Sequence, residues 1–451
     1  MFILNMNDEL IRKTAEEVFG IKALRPLQKE IISTVVKNFG TGGSSLLAVL
    51  PTGGGKSVCF QLPAVLAEGI TIIVYPILSL IRDQSSSLTK NGICHEVLTG
   101  ESDKNHFLLR VMSGEVRIII TNIESLLSPL ILSFLSSRKV SLLVFDEVHT
   151  VISWGESFRP AYLEAKRISR LLRPEQVLAF TATLDGYTSR RLEELLFTSK
   201  PKVIRDNTDR PNIFYHRVRS LFPVKDCIAL LTPENRRPAV VFVRSRARAE
   251  VLTALLSPYF PTLCYHAGLP PEERRAAEEI FFKSSDHVLC ATVAYGMGVN
   301  APGIRSVVHY DIPEKASDFL QESGRAGRDG KSAESFTLIR SSAKSPLVHA
   351  FSDEGCIRMR LLSLMGKVMD SSCSGCDGCS GTFTPAWGED MIMKEAGRIP
   401  FLHTGHSLLR RLCHMKEFRS VSRTEIREAV NILIREGRIR VFLGHLYVKR
   451  K

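Results

Sequence analysis

The sequence predicts an α/β protein in which two doubly wound parallel-sheet domains stand in tandem, followed by a small cysteine-rich module and a winged-helix-like C-terminal region. Three observations lead there. Short β-branched apolar runs alternate with helical stretches in two successive series, a glycine-rich turn joins a strand to a helix in the first series, and four cysteines cluster after the second. The expected domains are residues 1–205, 206–340, 341–385 and 386–451. A chain of 451 residues calls for more than one core, because single cores stop growing near about 250–300 residues. With 44% hydrophobic and 24% charged residues, the composition is that of a folded protein and excludes a disordered one.

In the first series LLAVL, TIIVY, RIIIT, VSLLVF and VLAFT read as strands buried on both faces, since a parallel strand covered by helices on either side shows no polar alternation. The polar, proline-containing segment from Asp206 to Pro211 separates them from the second series, NIFYHRV, AVVFV, HVLCA, RSVVHY and SFTLI. Strand runs cease after Arg340. The helical segment CIRMRLLSLMGKVM leads into SSCSGCDGCSG, and HSLLRRLCHM, TEIREAVNILIREG and RIRVFLGHLYVKRK then read as helix, helix and β-hairpin.

The net charge is +13, and residues 399–451 hold 12 Lys and Arg against 4 Asp and Glu, so most of the excess sits in the last eighth of the chain. That concentration points to a polyanionic partner. No run approaches 18 apolar residues and the opening MFILNMNDEL is acidic, so neither a membrane partner nor a signal peptide is expected and a cytoplasmic location is, at the nucleoid if the cell is bacterial. Six single cysteines (Cys59, Cys94, Cys227, Cys264, Cys290 and Cys413), mostly in apolar segments, fit reduced thiols.

The turn PTGGGKS follows LLAVL and opens a helical pattern, which offers backbone N–H groups and a helix N-terminus to phosphates. Thr52, Gly53, Gly54 and Gly55 let the backbone approach a nucleotide, Lys56 reaches the outer phosphates, and Ser57 places its hydroxyl on Mg2+. VSLLVFDEVH ends a strand on two acids, where ligands of open α/β sheets sit. Asp146 is the candidate for holding Mg2+ and Glu147 for orienting the attacking water, as ATP hydrolysis requires. QESGRAGRDG, near the end of the second domain, offers Gln321, Arg325 and Arg328. The two arginines, three residues apart, share one face if the segment is helical and would stabilise the charge of the transferred phosphate across the domain cleft. Cys356, Cys373, Cys376 and Cys379, spaced C-x16-C-x2-C-x2-C, supply four thiolates for a closed, structural Zn2+ site.

These motifs resemble the RecQ family of superfamily 2 DNA helicases over nearly the whole chain. LPTGGGKSVCFQLPA is close to its first motif, FGIKALRPLQKEII is similar to its upstream motif, and YPILSLIRDQ, AFTATL, YHAGL, ATVAYGMGVNAPGIRSVVHYDIP and QESGRAGRDG follow in the family's order. The resemblance implies two RecA-like domains, adenine recognition by Gln28 with Arg25, and a relay by His149 between the acid pair and Thr181 or Thr183. WGESFRPAY is similar to the family's aromatic-rich loop, which implies that Trp154, Phe158 and Arg159 couple DNA binding to hydrolysis. It further implies an ATP-dependent 3′-to-5′ helicase acting on single-stranded and forked or junction DNA in recombination and repair, and a monomer is the expected state.

The chain departs from the family at Glu156, Ser157, Val148 and Ser125. The 25 residues between Gly330 and Cys356 leave room for only a reduced helical hairpin, and the expected form is a short one without the helicase-and-RNaseD C-terminal domain. Arg410, Arg411, Arg435, Arg438 and Arg440 are candidate phosphate contacts, and the hairpin from Val441 to Tyr447 is a candidate wedge. Two alternatives stay open: a DNA-stimulated translocase that does not unwind, and an RNA remodeller of the DEAD-box type.

Overall fold

The computed structural model divides into two compact units, residues 1–209 with 363–368 and residues 210–362 with 369–451. It describes every residue except 1, 51–53, 154–159, 183, 185, 206–209, 297–302, 341–344, 353–354, 366–371, 374, 383, 399–402, 443–444 and 449–451.

In the first unit β1 (Ser44–Val49), β2 (Ile70–Val74), β3 (Glu96–Leu98), β4 (Ile118–Thr121), β5 (Val140–Phe145), β6 (Gln176–Thr181) and β7 (Lys202–Arg205) form one sheet in the order β3-β4-β2-β5-β6-β1-β7. Every neighbouring pair is parallel. Successive strand residues face opposite sides. Leu47, Val49, Val74 and Phe145 therefore enter one core with Ile168 and Leu172 of the helix Ala165–Leu172. Ala48, Ile73 and Val144 enter the other, with Ile31, Ile32 and Val35 of the helix Pro26–Lys37. Two covered faces explain why the strand sequences are continuously apolar.

In the second unit β8 (Ile213–Arg219), β9 (Ala239–Phe242), β10 (Thr262–Tyr265), β11 (Val288–Ala291), β12 (Ser306–His309) and β13 (Ala333–Ile339) form a second parallel sheet in the order β10-β11-β9-β12-β13-β8. Of the strands in these two sheets, β3, β7 and β10 went unforeseen in the sequence. All three are edge strands, and each is only partly buried, so none carries a fully apolar run.

The free edge of β8 is covered by the cysteine module. Tyr215 bridges Cys376 in parallel, and the Arg217 guanidinium holds Asp377 at 2.9 Å while its backbone N–H donates to the same carboxylate. Arg358, 1% exposed, donates to the carbonyls of Arg210 at 3.1 Å, Gly375 at 3.2 Å and Ile213. Beyond the module, the helices Glu389–Arg398, Gly405–His414 and Arg423–Arg435 pack on a small antiparallel sheet of β14 (His403–Thr404), β15 (Ile439–Phe442) and β16 (His445–Val448). Phe222, on the second domain, enters their core at 5.4 Å from Trp387 and 5.7 Å from Phe418. Among the described residues no helix is long and apolar enough to cross a membrane.

Candidate nucleotide-binding site

The carboxyl ends of β1, β5 and β6 lie side by side, because β6 pairs with both of the others. Past β1 the glycine turn enters the helix Lys56–Leu66 through Gly55, whose φ is 72°. A Cβ on Gly55 would stand 2.3 Å from the side-chain nitrogen of Gln28, so only glycine satisfies both the backbone and the close approach. Gln28 is buried. Its amide donates to the Gly54 carbonyl at 3.0 Å and the Gly55 carbonyl at 3.4 Å and accepts from the Arg25 backbone N–H at 2.9 Å. In this structure Gln28 is thus a strut beneath the turn, a role its family assignment did not suggest. The Arg25 side chain is exposed and Ser57 is half-buried. Thr52 and Gly53 lie outside the described residues.

Beyond β5, Asp146 is 4% exposed and accepts from the Glu147 backbone N–H at 2.8 Å. Glu147 adopts a φ of 50°, a left-handed conformation uncommon for a residue with a side chain. Its carboxylate meets Lys56 Nζ at 2.5 Å through one oxygen and His149 Nδ1 at 3.4 Å through the other. The same His149 nitrogen lies 3.2 Å from the Thr181 hydroxyl. The turn lysine, the second acid, the histidine and the end of β6 therefore form one connected chain. Thr183 lies outside the described residues.

Burial and the neighbouring Glu147 charge push Asp146 up to about 7, against the opposing influence of Lys56 and the Glu147 N–H. An Asp146 carboxylate and a Ser57 hydroxyl are the oxygen donors that Mg2+ accepts, so the residues present fit the ion that the motif calls for. Tyr75, just past β2, is fully buried, and among the described residues its hydroxyl has no hydrogen-bond partner. Burial, then the charges of Asp146 and Glu147, raise it well above its usual range. The sequence reading missed it; the available signal was a tyrosine closing the aliphatic run TIIVY.

In the second unit Gln321 is half-buried on the helix Ala316–Ser323. The condition for one helical face at Arg325 and Arg328 is not met: the helix ends at Ser323, and both arginines lie in the turn beyond it. The turn is set by Gly327, with φ 59° and a position where a Cβ would stand 2.4 Å from the Asn212 side chain. Arg210 pins it by donating to the carbonyls of Gly324, Ala326 and Gly327 at 3.1, 3.0 and 2.8 Å. Arg325 is buried and Arg328 half-buried. Trp154, Phe158 and Arg159 lie outside the described residues.

The sulfurs of Cys356, Cys373, Cys376 and Cys379 all lie within 4.8 Å of one another, with Cys373 to Cys376 at 3.6 Å and Cys376 to Cys356 at 4.0 Å. Four thiolates around a tetrahedral Zn2+ stand about 3.8 Å apart, given Zn–S bonds of about 2.3 Å, so the cluster fits zinc. Of the basic residues near the C-terminus, Arg411 already holds Glu395 at 2.5 Å and Arg438 holds Glu389. Arg410, Arg435 and Arg440 are exposed, as is Val441 in the hairpin.

Two tandem parallel sheets with a glycine-turn lysine facing a strand-end acid pair define the class of two-domain nucleotide-driven motors. Residues 25–192 match the DEAD/DEAH box helicase family and residues 223–330 the helicase conserved C-terminal domain. The chain is 31% identical over 343 residues to an ATP-dependent DNA helicase RecQ of Synechocystis, covering 73% of this chain and 70% of that protein. It is 29% identical over 389 residues to the RecQ of Pasteurella multocida, covering 80% of this chain and 61% of that protein. This protein belongs to the RecQ family. Its chain spans about three fifths of the length of the Pasteurella relative. Among solved structures, yeast Dbp5 bound to RNA and ADP BeF3 matches with a TM-score of 0.64 at 16% identity, over 85% of this chain and 97% of that one, which shows the shared RecA-like fold.

Proposed function

We propose that this protein is an ATP-dependent DNA helicase of RecQ type, which couples ATP hydrolysis to 3′-to-5′ movement along single-stranded DNA and separates strands inside the cell during recombination and repair. The observation that carries this reading is the Lys56–Glu147 ion pair beside the buried Asp146. In the absence of nucleotide, Lys56 neutralises the residue that would activate water. A bound nucleotide draws Lys56 onto its outer phosphates and frees Glu147 to orient the attacking water, with His149 holding the other oxygen of that carboxylate. Asp146 and Ser57 would hold Mg2+, which supplies positive charge for the phosphates. Arg325 and Arg328 supply further charge to the transferred phosphoryl group. The four cysteines would hold Zn2+, which ties the module on β8 together and takes no part in chemistry.

DNA is the favoured substrate, given the family and the basic C-terminal region. The test is ATP hydrolysis by the wild-type chain with single-stranded DNA or single-stranded RNA of matched sequence. Stimulation by DNA of at least about tenfold over RNA is the expected result; equal or greater stimulation by RNA would replace the proposal with an RNA remodeller.

A further inference from the structure

We propose that Tyr295 is a positioning residue for Arg325, holding its guanidinium over the ring face in the orientation that hydrolysis requires. The inference rests on the reading of Arg325 as a charge that stabilises the transferred phosphoryl group.

The Arg325 guanidinium carbon stands 5.6 Å from the centre of the Tyr295 ring, and both residues are buried, at 2% and 1% exposure. A guanidinium over an aromatic face is attracted by the ring quadrupole, and more strongly where water is excluded. The ring is itself fixed on two sides. Tyr265, at the end of β10, meets it in a T-shaped contact at 5.2 Å and 74°, and Phe281 of the helix Pro271–Lys283 does so at 6.1 Å and 85°. The Tyr265 hydroxyl donates to Glu278 of the same helix at 2.5 Å, which closes the frame.

The backbone adds to the constraint. The Tyr295 N–H donates to the Thr292 carbonyl at 3.0 Å and the Thr292 N–H to the Tyr265 carbonyl at 3.1 Å, so the turn carrying Tyr295 is tied to β10. Arg325 lies in a turn, beyond the end of its helix, and a long side chain on a turn has many rotamers to lose before it acts. A fixed aromatic face reduces that cost. The Tyr295 hydroxyl has no hydrogen-bond partner among the described residues, and the contact to Arg325 is made through the ring face.

The experiment measures DNA-stimulated ATP hydrolysis of the full chain for Tyr295→Phe, Tyr295→Leu and Tyr295→Met, each alone and in an Arg325→Ala background. Tyr295→Phe should stay within about twofold of wild type. Tyr295→Leu should lower kcat by about five- to tenfold, from the size of a buried cation–π contact, with KM for ATP unchanged. In the Arg325→Ala background the same change should cost less than about twofold. Tyr295→Met, of similar bulk and without a π face, serves in place of Tyr295→Leu if that variant fails to fold. Equal losses in both backgrounds, a loss in Tyr295→Phe as large as in Tyr295→Leu, or a change confined to KM would overturn the proposal. If Arg325→Ala alone leaves kcat unchanged, the underlying reading of the arginine fails, whatever Tyr295 does.

Discussion

Buried charge is handled in opposite ways in two regions of this molecule. At the carboxyl end of the first sheet, Asp146 sits beside Glu147, whose carboxylate meets Lys56, and burial together with the Glu147 charge pushes Asp146 above the usual carboxylate range. On the edge of the second sheet, Asp377 is fully enclosed and takes hydrogen bonds from both the side chain and the backbone of Arg217. Close by, Arg358 spends its donors on three carbonyls and lies over Tyr215 at 4.6 Å. The first cluster places two acids side by side at the carboxyl end of a strand, where ligands of open α/β sheets sit. The second pairs its carboxylate with a guanidinium and a backbone N–H and holds one module to another. A buried acid crowded by a second acid marks a site, and one paired with its own guanidinium marks a joint.

The sharpest break in that comparison is kinetic. Lys56→Ala should lower kcat for ATP by at least about 100-fold, the scale of losing a charge that acts on the transition state. Its unfolding midpoint should move far less than that of Asp377→Ala. Conversely, Asp377→Ala should cost about 3–5 kcal/mol, the usual penalty for stranding one partner of a buried ion pair, as read by denaturant unfolding of the second unit. If Lys56→Ala proved the more destabilising of the two, the distinction between site and joint would collapse.

A smaller effect sharpens the same contrast through pH. Asp226 is buried at the junction with the C-terminal helices, where it accepts from the Ser220 hydroxyl and the Trp387 backbone N–H, both at 2.6 Å. Burial outweighs these bonds and pushes it up to about 6. The folded state therefore holds a proton that the unfolded chain releases near its ordinary value, and stability falls as pH rises from about 4 through 6. Asp226→Asn should remove that slope, gaining about 3 kcal/mol on wild type across the window in denaturant titrations at each pH.

The smallest expected effect concerns DNA. Arg410→Ala or Arg440→Ala, at exposed positions, should each reduce the slope of log affinity against log salt by about 1. Arg411→Ala and Arg438→Ala, whose side chains already hold Glu395 and Glu389, should reduce it less. Fluorescence anisotropy over a salt series distinguishes the pairs.

Much of this was legible before the structure. Lys56, Asp146 and Glu147 could be named because their residue types and spacings follow from the chemistry, and the central strands because burial on both faces leaves an unbroken apolar run. The edge strands β3, β7 and β10 could not, since partial exposure dilutes the pattern to a few residues. Whether Arg325 and Arg328 share a helical face was left open by the sequence, and the structure puts both in a turn, because the chain leaves the helix at Gly324 and Gly327. The Arg217–Asp377 joint and the Gln28 strut were invisible for a different reason. Their partners are separated by 160 and 26 residues, and pairing over such distances is set by the folded sheet and not by local pattern.

If ATP hydrolysis at Lys56 drives strand separation, forked DNA is the substrate on which to see it. Duplexes carrying a single 3′ tail or a single 5′ tail are incubated with ATP and Mg2+, for wild type beside Lys56→Ala. The 3′-tailed fork should be unwound by wild type alone, with the 5′-tailed fork left intact. Strand separation that persists in Lys56→Ala, or DNA-stimulated hydrolysis with no separation of either fork, would contradict it.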